Sequence, residues 1–344
     1  MKVLVSFKPN KKFDNFQGSR MRKTIKGALE FLNIPYTDSL VDYYDIAHLI
    51  SPEQDGELND IVDSGAPVVV SALYTEDDPV ASYLEMDPKT KKSVLTQKAL
   101  KFLNKADLVL VPCEQAKELL TSSGVTSPIE IVLPGVNMSR FDFSKQEEKE
   151  IFYRYYREDK NKKLVIAVGE YKGKMEGLSS FIGAAKKSPN AVFYYIGKTT
   201  ASMKLNLKIN RIFSTAPKNV KFVDVPPDDI YRSALLNADV FMIPGYKVTG
   251  VTSIVEAMAA KTQIIARKST VLEGILEDGE TAHLAEFSET LASLTRDYLD
   301  GKIKPTTTSA HQKVCSHTLK AFGEELNKYY QIAIQNKVKR SVKL

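Results

Sequence analysis

Residues Asp239–Lys261 read DVFMIPGYKVTGVTSIVEAMAAK, and three kinds of local structure follow one another within them. Val240–Ile243 is a short apolar run of strand type, closed by Pro244. A loop with Gly245 and Gly250 follows, and Thr252 or Ser253 can cap a helix that runs through Glu256. A glycine loop entering a helix N-terminus presents unpaired backbone N–H groups and a positive dipole end, which suits a diphosphate. Glu256 lies one turn into that helix, where a carboxylate can accept hydrogen bonds from a ribose diol. A capped structural helix whose glutamate merely favours the dipole fits the same residues.

The strand, turn and helix pattern recurs along the chain. Strand-type runs are Lys2–Phe7, Pro67–Ala72, Asp107–Val111, Glu130–Leu133, Lys163–Val168, Ala191–Ile196, Val220–Val223, Val240–Ile243 and Gln263–Ala266. Nearly continuous apolar strands alternating with helices predict parallel sheets covered on both faces, a doubly wound α/β architecture. A length of 344 residues suits two such domains better than one. The charged and aromatic stretch 144–163 (SKQEEKEIFYRYYREDKNKK) is the expected boundary. The division is therefore 1–150, 160–305 and a C-terminal helix with a basic tail over 306–344, the helix spanning Ser309–Lys337. Each half opens with a strand and a glycine-bearing turn, Gly18 in the first and Gly169, Gly173 and Gly177 in the second. Two stacked domains of this kind leave a cleft, and ligands are expected beyond the carboxyl ends of the strands.

Composition excludes several classes. Hydrophobic residues make up 43% and charged residues 26%, enough to bury a core and too apolar for a disordered chain. Apolar stretches such as Ala66–Tyr74 stop well short of the roughly 18 to 20 residues of a membrane span. The start, MKVLVSFKPNKK, lacks a signal peptide's apolar run, so a cytoplasmic location is expected. Cys113 and Cys315 are far apart with no CxxC spacing, which argues against a disulfide framework and a structural zinc, and no metal is expected. Cys113, just after a strand, reads as a small buried hydrophobe. The net charge of +6 favours anionic partners.

The order strand, PGY, loop, IVEAMAA, strand QIIARKS resembles the donor-sugar site of the retaining GT-B glycosyltransferases of family 4. Leu133–Phe141 (LPGVNMSRF), Ala106–Leu120 (ADLVLVPCEQAKELL) and Ala234–Pro244 (ALLNADVFMIP) are similar to further elements of that family. Gly18–Arg20 with the following GALEFLNIPYT, TEDD at 75–78 and Ser188–Gly197 look most like the members that extend glucosyl-diacylglycerol. The resemblance implies a GT-B fold with two Rossmann-like domains, an acceptor side and a nucleotide-sugar side. It implies a UDP-sugar donor, UDP-glucose or UDP-galactose, and a lipid or glycolipid acceptor, with no metal. Under it Glu256 binds the ribose, Gly18 and Arg20 with Lys172 or Lys174 hold the diphosphate, and backbone N–H groups near Gly250, Thr252 and Ser253 stabilise the leaving phosphate. No catalytic base is assigned.

The chain also departs from that family. Val248 stands where the family has a glutamate, Glu170 and Glu176 stand at the diphosphate clamp, and Leu73 replaces a histidine. Two carboxylates facing a diphosphate repel it unless Lys172 and Lys174 take over. These departures motivate a second reading: a degenerate, glycosyltransferase-like binding or scaffolding subunit, paired with an active paralogue. His48 reads as a strand-end core histidine, His283 as a loop residue, and His311 and His317 as terminal-helix residues, so no triad is supported. Lys8, Lys11, Lys12, Arg20, Arg22, Lys23 and Lys26 crowd the first turn and helix. Lys89, Lys91, Lys92, Lys98, Lys101 and Lys105 stud a second helix beside Val94, Leu95, Leu100, Phe102 and Leu103. That pattern suits either docking on an anionic membrane surface, as a peripheral protein of the inner face, or a core-facing helix with solvated lysines. No recognised module points to nucleic acid.

Overall fold

In the computed structural model, which describes residues 1–7, 16–50, 55–73, 83–90, 93–141, 146–169, 177–197, 207–245 and 251–342, each of the nine apolar runs overlaps a strand. The first sheet has six strands, all parallel, in the order β2 (Tyr36–Thr37), β1 (Val3–Ser6), β3 (Ile46–Ile50), β4 (Val68–Ser71), β7 (Leu108–Val111) and β8 (Ile129–Ile131). Helices α1 (Phe16–Phe31), α2 (Asp55–Asp63), α3 (Gln97–Leu103) and α4 (Glu114–Ser122) connect them. A separate antiparallel pair, β5 (Leu84–Met86) and β6 (Ser93–Leu95), precedes α3.

The second sheet is also parallel and six-stranded, in the order β11 (Val220–Val223), β10 (Val192–Ile196), β9 (Leu164–Val168), β12 (Val240–Ile243), β13 (Gln263–Arg267) and β14 (His283–Ala285). Counted from β9, this is the 3-2-1-4-5-6 order of a Rossmann sheet, which reverses between β9 and β12. Its helices are α5 (Gln146–Tyr156), α6 (Leu178–Lys187), α7 (Leu207–Ser214), α8 (Asp228–Asn237), α9 (Val251–Ala259), α10 (Ser288–Leu299) and α11 (Thr307–Val314), and α12 (Leu319–Val342) follows. The inner strands β1, β3, β4, β7, β10, β12 and β13 are buried at every residue. That is why they read as apolar runs and not as alternating ones.

The two units are Met1–Val136 with His317–Leu344, and Asn137–Ser316. The expected division at 1–150, 160–305 and 306–344 differs from this in two places. The stretch 144–163 is no linker: α5 packs on α8, with Phe152 fully buried and its N–H donating to Ser233 Oγ at 2.9 Å. Phe152, Tyr156 and Tyr194 form an aromatic cluster with ring centres 4.9 to 5.1 Å apart, so Tyr156 of this stretch is a packing residue, whereas Tyr155 is exposed. The single helix expected over Ser309–Lys337 is two helices broken at Cys315–Thr318. At the break the His317 carbonyl accepts from the Val136 N–H at 2.8 Å, and the chain returns to the first unit.

Both sheets are pinned by the same device. Asp107, ahead of β7, donates its N–H to the Val68 carbonyl at 2.8 Å, and its carboxylate accepts from the Val68 N–H at 2.9 Å. Asp239, ahead of β12, closes the same ring on Leu164, again at 2.8 and 2.9 Å. The two segments, ADLVLVP and ADVFMIP, are a structural repeat across the units.

The C-terminal helix completes the first core. Phe322, Leu326, Tyr330 and Ala333 are buried with Val3, Val5, Ile25, Leu29 and Ile46. His48 sits at the middle of β3, not after a strand, and has no exposure. Its Nδ1 lies 2.8 Å from the Tyr330 hydroxyl and its Nε2 lies 2.8 Å from the Ser71 hydroxyl. With both nitrogens satisfied a neutral imidazole is accommodated in the core, and burial pushes its pKa down from 6.5 to about 3. The unfolded chain takes a proton on this ring below pH 6.5 and the folded chain does not, so stability falls as pH falls through that window. By pH 5 the loss is about 2 kcal/mol. Urea unfolding at pH 7 and at pH 5 checks this, with His48→Gln expected to flatten the difference. Equal slopes in both proteins would show that another group sets the dependence.

Three basic features differ from expectation. Lys89–Lys105 is not one helix: β6 and α3 divide it at Thr96, whose hydroxyl caps α3 by accepting from the Ala99 N–H at 3.3 Å. On α1, Arg22 and Lys26 both pair with Asp38, at 2.7 and 3.0 Å. Arg340, expected in a basic tail, clips α12 to the carbonyls of Lys105 and Ala106 at 3.1 and 2.9 Å. Lys8, Lys11, Lys12, Lys91 and Lys92 lie outside the described residues.

Candidate functional site

In the second unit the strand order reverses between β9 and β12, which opens a crevice beyond their carboxyl ends. Gly177 and the Pro244–Gly245 peptide meet there. A Cβ built on Gly177 would lie 2.2 Å from the Pro244 carbonyl carbon and 2.4 Å from the Gly245 nitrogen. Gly177 also holds a left-handed φ of +71°, where a side chain adds strain. The start of α6 thus rests directly on the backbone that leaves β12.

Helix α9 enters the core from the same end. Eight of its nine residues are buried, and Glu256 alone is partly exposed. The helix starts at Val251, so Thr252 and Ser253 lie inside its first turn and do not cap it as expected. Ser253 is 2% exposed, and its hydroxyl makes no hydrogen bond among the described residues. The first-turn N–H groups of a helix have no intrahelical acceptor. Glu256, the sixth residue, is beyond the turn where a carboxylate simply favours the dipole. An apolar helix that keeps one half-buried carboxylate, with Oε2 of Glu256 itself buried, can serve as a hydrogen-bond acceptor at a crevice.

Sequence reasoning gave Arg267 no role. It ends β13, is 1% exposed, and donates to the Ser288 hydroxyl at 2.8 Å and to the Glu286 carbonyl. An arginine closing an apolar strand in QIIARKS was the available signal, because charged residues are almost never fully buried without a partner.

In the first unit Gly18 is within α1, not in a turn, and presses on the end of β1. A Cβ there would lie 2.3 Å from Phe7 Cε2. Arg20, one turn into the same helix, is 8% exposed. The structure therefore brings Thr252, Ser253 and Glu256 together on α9, and Gly18 and Arg20 together on α1. Lys172, Lys174 and Gly250 lie outside the described residues, as do Gly173, Glu170, Glu176, Val248, Tyr74 and residues 75–78. Leu73 packs against the first core.

The remaining candidates are structural. His283 lies in β14, not a loop, with Nε2 3.0 Å from the Lys304 carbonyl. His311, in α11, faces the Met258 carbonyl at 3.3 Å, and His317 lies between the last two helices. Cys113 precedes α4 and is buried, which pushes its thiol up. Among the described residues no His, Cys, Asp and Glu group is placed to hold a metal ion, and no helix is long and apolar enough to cross a membrane.

Residues 148–313 match the family described as glycosyl transferases group 1. The chain is 25% identical over 319 residues to the processive diacylglycerol alpha-glucosyltransferase of Acholeplasma laidlawii, covering 92% of each. Among solved structures it superimposes on Anabaena HepE in complex with UDP and glucose, with a TM-score of 0.71, 13% identity and coverage of 96% of this chain and 99% of that one. Sucrose-phosphate synthase from Thermosynechococcus elongatus gives 0.71, 14%, 96% and 98%. With α6, the Gly177 contact, α9 and β13 all inside the matched span, the second unit is a glycosyl transferases group 1 domain, on a chain with the GT-B fold.

Proposed function

We propose that this glycosyltransferase moves a hexose, with retention, from UDP-glucose or UDP-galactose to a glycolipid acceptor at the cytoplasmic face of a membrane. The observation that carries the donor half is Glu256, the one partly exposed residue of an otherwise buried helix at the strand-order reversal. Its carboxylate accepts from the ribose hydroxyls, and the first turn of α9 with Thr252 and Ser253 receives the diphosphate. Arg20 beside Gly18, and Lys172 or Lys174, are the candidate cations for the remaining phosphate charge. The second unit is then the donor domain and the first the acceptor domain. The diacylglycerol glucosyltransferase relative supports a lipid-linked acceptor, and the UDP complexes of Anabaena HepE support the donor.

Titration of the purified chain with UDP, UDP-glucose and UDP-galactose tests the donor half. Micromolar affinity with a preference between the sugars is expected. Transfer to glucosyl-diacylglycerol in mixed micelles then tests the acceptor half. A second reading, a degenerate scaffolding subunit paired with an active paralogue, rests on Val248 and on Leu73, an aliphatic packing residue where the family carries a histidine. Absence of nucleotide binding, with activity appearing only in a chain carrying Val248→Glu, Glu170→Arg and Glu176→Lys, would decide for that reading.

A further inference from the structure

The second unit carries a cavity of about 260 Å³ that the donor reading does not use. It lies where β10 and β11 begin, lined by Glu158, Lys162, Asn190, Lys218, Asn219 and Lys221, with Pro189, Ala191 and Val192. The donor crevice is at the other end of the same strands. Across the five residues of β10, at about 3.3 Å each, the two are separated by at least roughly 15 Å.

The floor of the cavity is held rigidly. The Asn219 side-chain amide donates to the carbonyls of Ala185, Ser188 and Ala191 at 3.2, 3.1 and 2.9 Å. One wall is an ordered chain: the Tyr194 hydroxyl donates to Glu158 at 2.8 Å, and Glu158 pairs with Lys221 at 3.2 Å. Glu158, the single carboxylate of the lining, is therefore engaged from two sides. Lys162 and Lys218 make no ion pair among the described residues. Three lysines against one glutamate leave the cavity with an excess of two positive charges.

We propose that this cavity is a second anion site, separate from the donor crevice, and that it binds a phosphate monoester. Lys162 and Lys218 hold the phosphate oxygens, and Lys221 adds its charge while it stays paired with Glu158. A phosphate monoester carries about two negative charges near neutral pH and matches the excess, whereas a single carboxylate leaves one lysine uncompensated. The volume lies just below the usual range of small-molecule sites, about 300 to 1,000 Å³, so it suits a phosphate on a small polar group and is too small for a nucleotide sugar. The phosphate comes either from a free metabolite or from a lipid headgroup.

Calorimetric titration of the full chain with orthophosphate and with glycerol 3-phosphate tests the site. Saturable binding is expected, weakened about tenfold for each of Lys162→Gln and Lys218→Gln, with UDP affinity unchanged in both variants. In a parallel arm, phosphatidylcholine vesicles with and without phosphatidic acid are sedimented with the wild-type chain and the double variant. If only the phosphatidic acid vesicles show lysine-dependent binding, the headgroup is the source of the phosphate. If the free phosphates bind, a soluble ester is. Binding that the double substitution leaves unchanged in every arm, or no binding in any arm, overturns the proposal. Because the UDP titration reads the donor crevice separately, failure here and failure of the donor reading are distinct results.

Discussion

Glu256→Ala should weaken UDP binding about a hundredfold while leaving the fold intact. A carboxylate that accepts hydrogen bonds from two ribose hydroxyls gains about 1.5 to 3 kcal/mol for a charged bond, and each 1.4 kcal/mol is a factor of ten. The change is mild for the helix, because alanine has the best helical propensity and Glu256 is the one position of α9 that is not fully buried. Glu256→Gln keeps an oxygen acceptor and should lose less. The ribose assignment is isolated with 2′-deoxy-UDP, which should bind wild type more weakly than UDP does and lose less than UDP does in the alanine variant, because only the 3′-hydroxyl contact is left to lose. Equal affinity of wild type and variant for UDP would remove Glu256 from the donor site, and a full loss with the deoxynucleotide would place its contact elsewhere on the ligand.

Gly177→Ala should cost the second unit at least about 3 kcal/mol and abolish donor binding. Two penalties combine: a left-handed backbone at φ +71°, worth about 1 to 2 kcal/mol with a side chain, and a methyl group 2.2 Å from a backbone carbon that cannot rotate away. For a unit of this size the midpoint of thermal unfolding drops by roughly 6 to 12 °C. Gly279 separates the terms. It has a φ of +75° with nothing within 4 Å, so Gly279→Ala should show the backbone cost alone. If the two variants melt together, the close approach to Pro244 is relieved by movement, and the turn after β12 is softer than the geometry implies.

The strands were legible because a parallel sheet buried on both faces demands unbroken apolar runs, and β1, β4, β7, β9, β10, β12 and β13 supply them. The strands β2, β5, β6 and β14 were not. They are two or three residues long and half exposed at least in part, so they leave no periodic signal. β3 was recognised only as an apolar stretch ahead of His48, because a histidine inside a strand is tolerated here through Tyr330, a partner 282 residues away. Lysines at 89–105 suggested one long helix, although Thr96, a residue type that caps helix N-termini through its hydroxyl oxygen, was a local start signal. At the site, Glu256 stood out by its place after a glycine loop. Arg267 did not, since its role depends on Ser288 and Glu286, contacts that no local pattern encodes.

The return of residues 317–344 to the first unit has a consequence for synthesis. A chain emerging from the ribosome ordinarily completes its N-terminal domain first. Here the first sheet waits for Phe322, Leu326 and Tyr330, which close its core and satisfy His48, while Asn137–Ser316 is contiguous and has all of its own core in hand. The second unit is therefore made later and finished sooner. Until α12 arrives, the first unit lacks the side chains that cover Val3, Ile25 and Leu29, so its apolar surface stays open for longer than it would in a domain that closes on itself.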